Sequence, residues 1–227
     1  MCVLNERVYM LVCWWGNFWP IVFVSVLGFA AFLLLDVPQV YTRPRVTALI
    51  ALSAAAMLAT AFYMALHVGT PFPMPWWGRL VGWILFIFGL GFTFFVVFVE
   101  IPWRLRCGGQ EGPLVVTGTY AACRHPGFWG VVVFCLGSVL TFPRTGMLTL
   151  GLWWIVLEWI VVWVQDRWLL PRRFPAYATY QQRTPFLVPS RLSLQTMRST
   201  WSCRTANAAN LKDGRGGEHE TVSGKDQ

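Results

Sequence analysis

Charge is what this sequence has least of. Asp, Glu, Lys and Arg make up 12% of its 227 residues, about half their share in an ordinary soluble domain. So few charges cannot cover a globule in water, which excludes the usual soluble classes. Histidine occurs three times, and the six cysteines form no CxxC pair and no zinc-ligand spacing. The cysteines are therefore read as thiols, with no disulfide framework and no metal expected. Neither GxGxxG nor a Walker lysine occurs, and there are no internal repeats or heptads. A phosphate cradle, a solenoid and a coiled coil are excluded, and nucleic acid is not an expected partner.

What remains is apolar and aromatic. Hydrophobic residues reach 56%, with 14 Trp and 17 Phe. Apolar runs fall at residues 8–35, 46–68, 80–102, 128–142 and 147–164. Crossing a bilayer takes about 20 residues, so the expected fold is an all-α integral membrane bundle of about five helices with the lipid bilayer as its solvent. Pro20 is expected to kink the first run. That run lacks the basic leader of a cleaved signal, because Glu6 offsets Arg7. Trp clusters such as "PWWGR" and "IPW" mark run ends, as interfacial anchors do.

Basic residues set an orientation. With five spans, Arg7, Arg79 and Arg144 share one side, and the rest of the 18 Lys and Arg fall on the other. The positive-inside rule then places the N-terminus outside and the C-terminus in the cytosol, in a bacterial inner membrane or the endoplasmic reticulum. Residues 1–190 are expected to form one membrane domain. Residues 191–227 are polar and rich in Gly, Ser and Asn, and are expected to lack order.

Two segments on the inferred cytosolic side carry the chemistry. The first, "GTYAACRHPGFWG" at 118–130, sets Pro126 at a helix start with His125 at its edge, where free amides suit an anion. Read alone, Arg124 and His125 equally suit a headgroup boundary. The second, "VQDRWLLPRRFPAYATYQQRTPFLVP" at 164–189, holds Gln165 and Asp166, then Phe174, Tyr177, Tyr180 and Arg183. Tyr177 and Tyr180 share a helical face. They suit either an amphipathic surface helix or a flat heteroaromatic ligand.

Together the two segments resemble the membrane methyltransferases that include isoprenylcysteine carboxyl methyltransferase and the phospholipid N-methyltransferases. The matching residues are Gly118, Tyr120, Arg124, His125, Pro126, Gly130, Asp166, Phe174, Tyr177, Tyr180, Pro185 and Pro189. Thr119, Phe128, Gln165 and Pro175 depart from the pattern. The resemblance implies an enzyme that uses S-adenosyl-L-methionine, with a cofactor-binding half at about residues 107–190. It implies cofactor contacts from Gly118, Tyr120, His125, Pro126, Gly130, Gln165, Asp166, Tyr177 and Tyr180. It assigns catalysis to Arg124 and Asp166.

The methyl acceptor implied is a lipidic or small hydrophobic molecule, an isoprenylcysteine-like carboxylate ahead of a phospholipid amine or a thiol. Arg124, Glu158 and Arg183 would face it. A non-catalytic assembly or carrier protein is the alternative. Glu158 lies within an apolar run, where an ionisable group is costly and functional by default. Glu100 and Arg104 are expected as an exposed i,i+4 pair at the interface, worth a few tenths of a kcal/mol.

Overall fold

The computed structural model describes residues 6–33, 44–107 and 114–201. Over these the chain is all-α. The helices are α1 (Glu6–Leu33), α2 (Pro44–His67), α3 (Trp76–Phe94), α4 (Ile101–Cys107), α5 (Thr119–Ala122), α6 (Pro126–Thr141), α7 (Thr145–Val164), α8 (Leu170–Arg173), α9 (Tyr177–Arg183) and α10 (Arg191–Ser199). Two π-helical turns, Phe95–Glu100 and Gln165–Leu169, join α3 to α4 and α7 to α8 without a break.

Three stretches are long and apolar enough to cross a membrane: Ala48–His67, Trp76–Cys107 and Thr145–Arg173. Of the five expected spans, the other two are shorter helices, Trp19–Leu33 and Pro126–Thr141. At 16 residues α6 rises about 24 Å, short of the roughly 30 Å hydrocarbon core. The outward face of the bundle is apolar, with Leu52, Phe62 and Ile87 each more than 60% exposed. Water would make that an aggregation surface, whereas acyl chains solvate it. The chain is an integral membrane protein.

The described residues divide into two compact units, one drawn from Met1–Gly91 and Phe128–Arg173, the other from Phe92–Gly127 and Phe174–Gln227. In the first unit Ile21 and Phe29 of α1, Met57 and Met64 of α2, Cys135 of α6 and Leu150 and Trp154 of α7 share one buried core. Trp154 Nε1 donates to Ser25 Oγ at 2.9 Å, a polar contact between α1 and α7. Buried in lipid-like surroundings, both groups need that bond.

Glycines let α3 and α6 touch backbone to backbone. A Cβ at Gly89 would strike Phe134 N and stand 2.7 Å from Gly130 O, and one at Gly137 would strike Phe86 N. Helices in lipid gain affinity from such small-residue contacts because acyl chains already satisfy their apolar surface. Gly89→Val is therefore expected to lower stability by about 1–3 kcal/mol or more. Gly91→Val, where a Cβ meets nothing within 4 Å, is the neutral control in the same detergent melt.

At one end of this unit the α2–α3 and α6–α7 loops clasp each other. Thr145 N donates to Thr70 O at 3.0 Å, Phe72 N donates to Pro143 O at 3.0 Å, and Arg144 Nη1 donates to Gly69 O at 3.1 Å. The sequence had placed these two loops on one side of the membrane, and the hydrogen bonds put them at one end of the unit. A cavity of about 480 Å³ opens among α2, α3, α6 and α7, lined by residues including Phe62, Phe86, Cys135, Ser138, Met147 and Trp154.

Candidate functional site

In the second unit the sequence places two carboxylate-bearing and cation-bearing helix ends near turns, and packing joins them. Glu100 closes the first π-helical turn and is fully buried, as is Arg104 one helical turn later. Arg104 Nε donates to Glu100 Oε1 at 3.0 Å. Thr119 N donates to the same oxygen at 3.0 Å, and the Thr119 hydroxyl donates to Oε2. The carboxylate thus has the several donors that a buried charge needs. The pair expected as an exposed interfacial contact is instead the polar centre of the unit.

Arg104 also reaches across the sequence. Its Nη1 donates to Thr200 O at 2.8 Å and to Trp201 O at 3.2 Å. Its guanidinium carbon lies 5.0 Å from the Trp103 ring centre and 5.5 Å from that of Trp201. Gly118 N donates to Thr200 Oγ1 at 3.2 Å. Gly118 has φ +67°, and a Cβ there would strike both Arg104 Nη2 and Glu100 Oε1. Among the described residues no acceptor reaches Nη2, because the bare Cα of Gly118 stands against it.

This contact corrects the expectation for the C-terminal segment. Residues 191–199 form α10, started by a Ser190–Ser193 capping box, and Ser193 Oγ donates to Ala122 O at 2.8 Å. The order comes from tertiary partners that composition does not reveal. Residues 202–227 lie outside the described residues. Among the described residues Cys123 and Cys135 are free thiols.

The residues singled out by sequence divide between the units. Gly118, Tyr120, Arg124, His125, Pro126, Tyr177, Tyr180 and Arg183 belong to the second, and Gly130, Glu158, Gln165 and Asp166 to the first. In the second, the two quoted segments do meet. Tyr180 Oη donates to Tyr120 O at 2.6 Å, and Arg124 N donates to Pro185 O at 3.0 Å. The His125 and Phe186 rings stand 5.3 Å apart at 76°, and the Arg124 guanidinium carbon lies 5.6 Å from the Phe186 ring centre. Pro126 opens α6 as its first residue, where its missing N–H costs nothing.

Tyr177 is 1% and Tyr180 5% exposed, and they pack edge to face on each other at 5.6 Å. They form the core of this unit and present no open face for a heteroaromatic ligand. Burial raises the Tyr180 phenol well above its usual pKa, so it stays a hydrogen-bond donor to Tyr120. Arg183 is exposed at the end of α9.

In the first unit Gly130 is a helix-packing position, its carbonyl facing Gly89 across the α3–α6 contact. Gln165 and Asp166 lie inside the second π-helical turn, within a helix that runs on to Arg173 rather than after its end. Asp166 is buried, and Glu158 is half-buried on α7. Glu100 and Asp166 each sit in a π-helical turn, a feature frequent at functional sites. Among the described residues no group of three or more His, Cys, Asp and Glu could hold a metal ion.

Cys123, buried beside α5, has its thiol pushed up to about 11 by loss of solvent, partly offset by the backbone N–H of His125. At pH 8 its alkylation by iodoacetamide should run about one hundredfold slower than that of an ordinary thiol. The rate should rise tenfold per pH unit up to about 11. Because the folded state holds this proton more tightly, its contribution to stability is complete below the usual 9.0 and is lost between there and about 11.

No family model and no solved structure matches this chain. It is similar to the Cobalt-zinc-cadmium resistance protein CzcN of Cupriavidus metallidurans, 33% identical over 110 residues, which is 46% of this chain and 50% of that protein. It is also similar to the Nickel-cobalt-cadmium resistance protein NccN of Alcaligenes xylosoxydans xylosoxydans, 38% identical over 107 residues, 43% of this chain and 48% of that one. The chain thus matches about half the length of each curated relative. These relatives are named for metal resistance, which overturns both the methyltransferase resemblance and the methyl-transfer function read from it.

Proposed function

We propose that this chain is a membrane-embedded component of resistance to divalent transition-metal cations such as cobalt, nickel, zinc and cadmium. The observation that carries the proposal is its likeness, over about half the length of each, to two proteins named for that resistance. The geometry supports a role beside the ion's path. The first unit's cavity is lined mainly by aliphatic and aromatic side chains, which suit hydrocarbon, whereas a cation leaving water needs rings of oxygen, nitrogen or thiolate ligands. The buried Glu100–Arg104 centre, with its bonds to Thr119, ties the second unit together.

Deleting the gene in its host and measuring growth across cobalt, nickel, zinc and cadmium concentrations tests the reading. Loss of tolerance to at least one metal, restored by the wild-type chain, is expected. Unchanged tolerance to all four rejects it. Equilibrium dialysis of the purified chain against zinc or cobalt should show no tight site, and tight stoichiometric binding would move the ion into this protein itself. The orientation belongs to the same proposal: reporter fusions at residue 227 should be active in the cytosol, following the excess of basic residues on that side.

S-adenosyl-L-methionine is carried as a proposed ligand on narrower ground. The closed Tyr177–Tyr180 pair does not fit a stacked adenine, and the Arg124–His125–Phe186 corner is what remains to meet its carboxylate. Calorimetry on the detergent-solubilised chain decides it. Saturable heat that His125→Ala removes supports binding, and no heat ends the proposal.

A further inference from the structure

We propose that α10 and its flanks form an interfacial foot that binds the anionic headgroups of the bilayer the chain spans. Attachment is the first argument. Trp103 and Arg104 lie in the last turns of a stretch long and apolar enough to cross a membrane, and Trp and Arg at a span end suit the headgroup level. Arg104 holds Thr200 and Trp201 directly, so the end of α10 sits beside the end of that span.

Charge and shape are the second argument. Between residues 167 and 201 the chain carries arginines and no Asp or Glu. The inner face of α10 is fixed by Ser193 on Ala122 O and Thr200 on Gly118 N. That leaves Arg191 and Arg198 exposed, with Leu192 and Val188 each 72% and Trp201 46% exposed. Apolar side chains flanked by arginines on a short helix suit the headgroup boundary, where the apolar groups enter and the guanidinium groups meet phosphate. The tertiary contacts hold the helix ready, so little ordering is needed on binding.

Hydrogen exchange of the full chain in nanodiscs tests the inference. Backbone amides of residues 190–201 should exchange about tenfold more slowly in discs of equal phosphatidylglycerol and phosphatidylcholine than in phosphatidylcholine alone. Arg191→Gln with Arg198→Gln should abolish the difference, and high salt should shrink it, while protection in α2 and α7 stays constant. Equal exchange in the two lipids overturns the proposal, as does a difference that survives the paired substitution. Inorganic phosphate giving the same protection in phosphatidylcholine discs also overturns it, by assigning the arginines to a free anion. None of these outcomes depends on metal tolerance.

Discussion

Gly118→Ala is expected to be the most damaging single substitution in the described chain. The residue adopts φ +67° and ψ −134° ahead of α5, a region that L side chains avoid at a cost of about 1–3 kcal/mol. Steric conflict adds to that strain. The new methyl would occupy the space of Arg104 Nη2 and Glu100 Oε1, and neither group can swing away, because both are fully buried and hydrogen-bonded. Displacing them opens the ion pair and the Thr200 contact together. A thermal melt in detergent should show loss of cooperative unfolding or a large drop in midpoint. Limited proteolysis should cut the second unit under conditions where the wild type resists. A glycine serving only to admit a ligand would leave the melt unchanged in the absence of that ligand, so the same experiment separates packing from binding.

The second large effect is expected at the ion pair. Glu100→Gln keeps the shape but leaves Arg104 buried beside a neutral amide, and breaking a buried pair from one side costs about 3–5 kcal/mol. That is a large fraction of the roughly 5–15 kcal/mol available to a folded domain. Arg104→Met should cost a similar amount. It strands the carboxylate and also frees Thr200 O and Trp201 O, which Arg104 now ties to the end of its span. The double variant Glu100→Leu with Arg104→Met should recover much of the loss in Glu100 desolvation, because replacing both charges by apolar groups is often close to neutral. It should not restore protection of α10, whose tether is gone. Equilibrium unfolding of the two single variants and the double variant, with hydrogen exchange at residues 190–201, measures both terms. If the single variants lost less than about 1 kcal/mol, the pair would be a surface contact of the kind the sequence alone indicates.

Legibility in the sequence followed the range of the interaction. Membrane residence, helical class and Pro126 as a helix start were readable, because each depends on composition or on neighbours within a turn. The Glu100–Arg104 pairing was readable too, at its i,i+4 spacing. Its burial was not, since Thr119 lies 19 residues from Glu100 and Thr200 lies 96 from Arg104. Gly130 shows the same limit: four residues beyond the helix-opening proline, it is given a cofactor contact by resemblance alone, and the sequence does not reveal that its carbonyl faces Gly89 on another helix.

The sequence by itself determined that lipid is the solvent and helix the regular structure of the described residues, because a chain with so few charges must satisfy its backbone internally. Tertiary structure alone decided where the charges go. Desolvation of Glu100 and Arg104, the bare Cα demanded at Gly118 and the ordering of α10 all arise from surfaces brought together across the chain. No local pattern carries the free energy of those contacts.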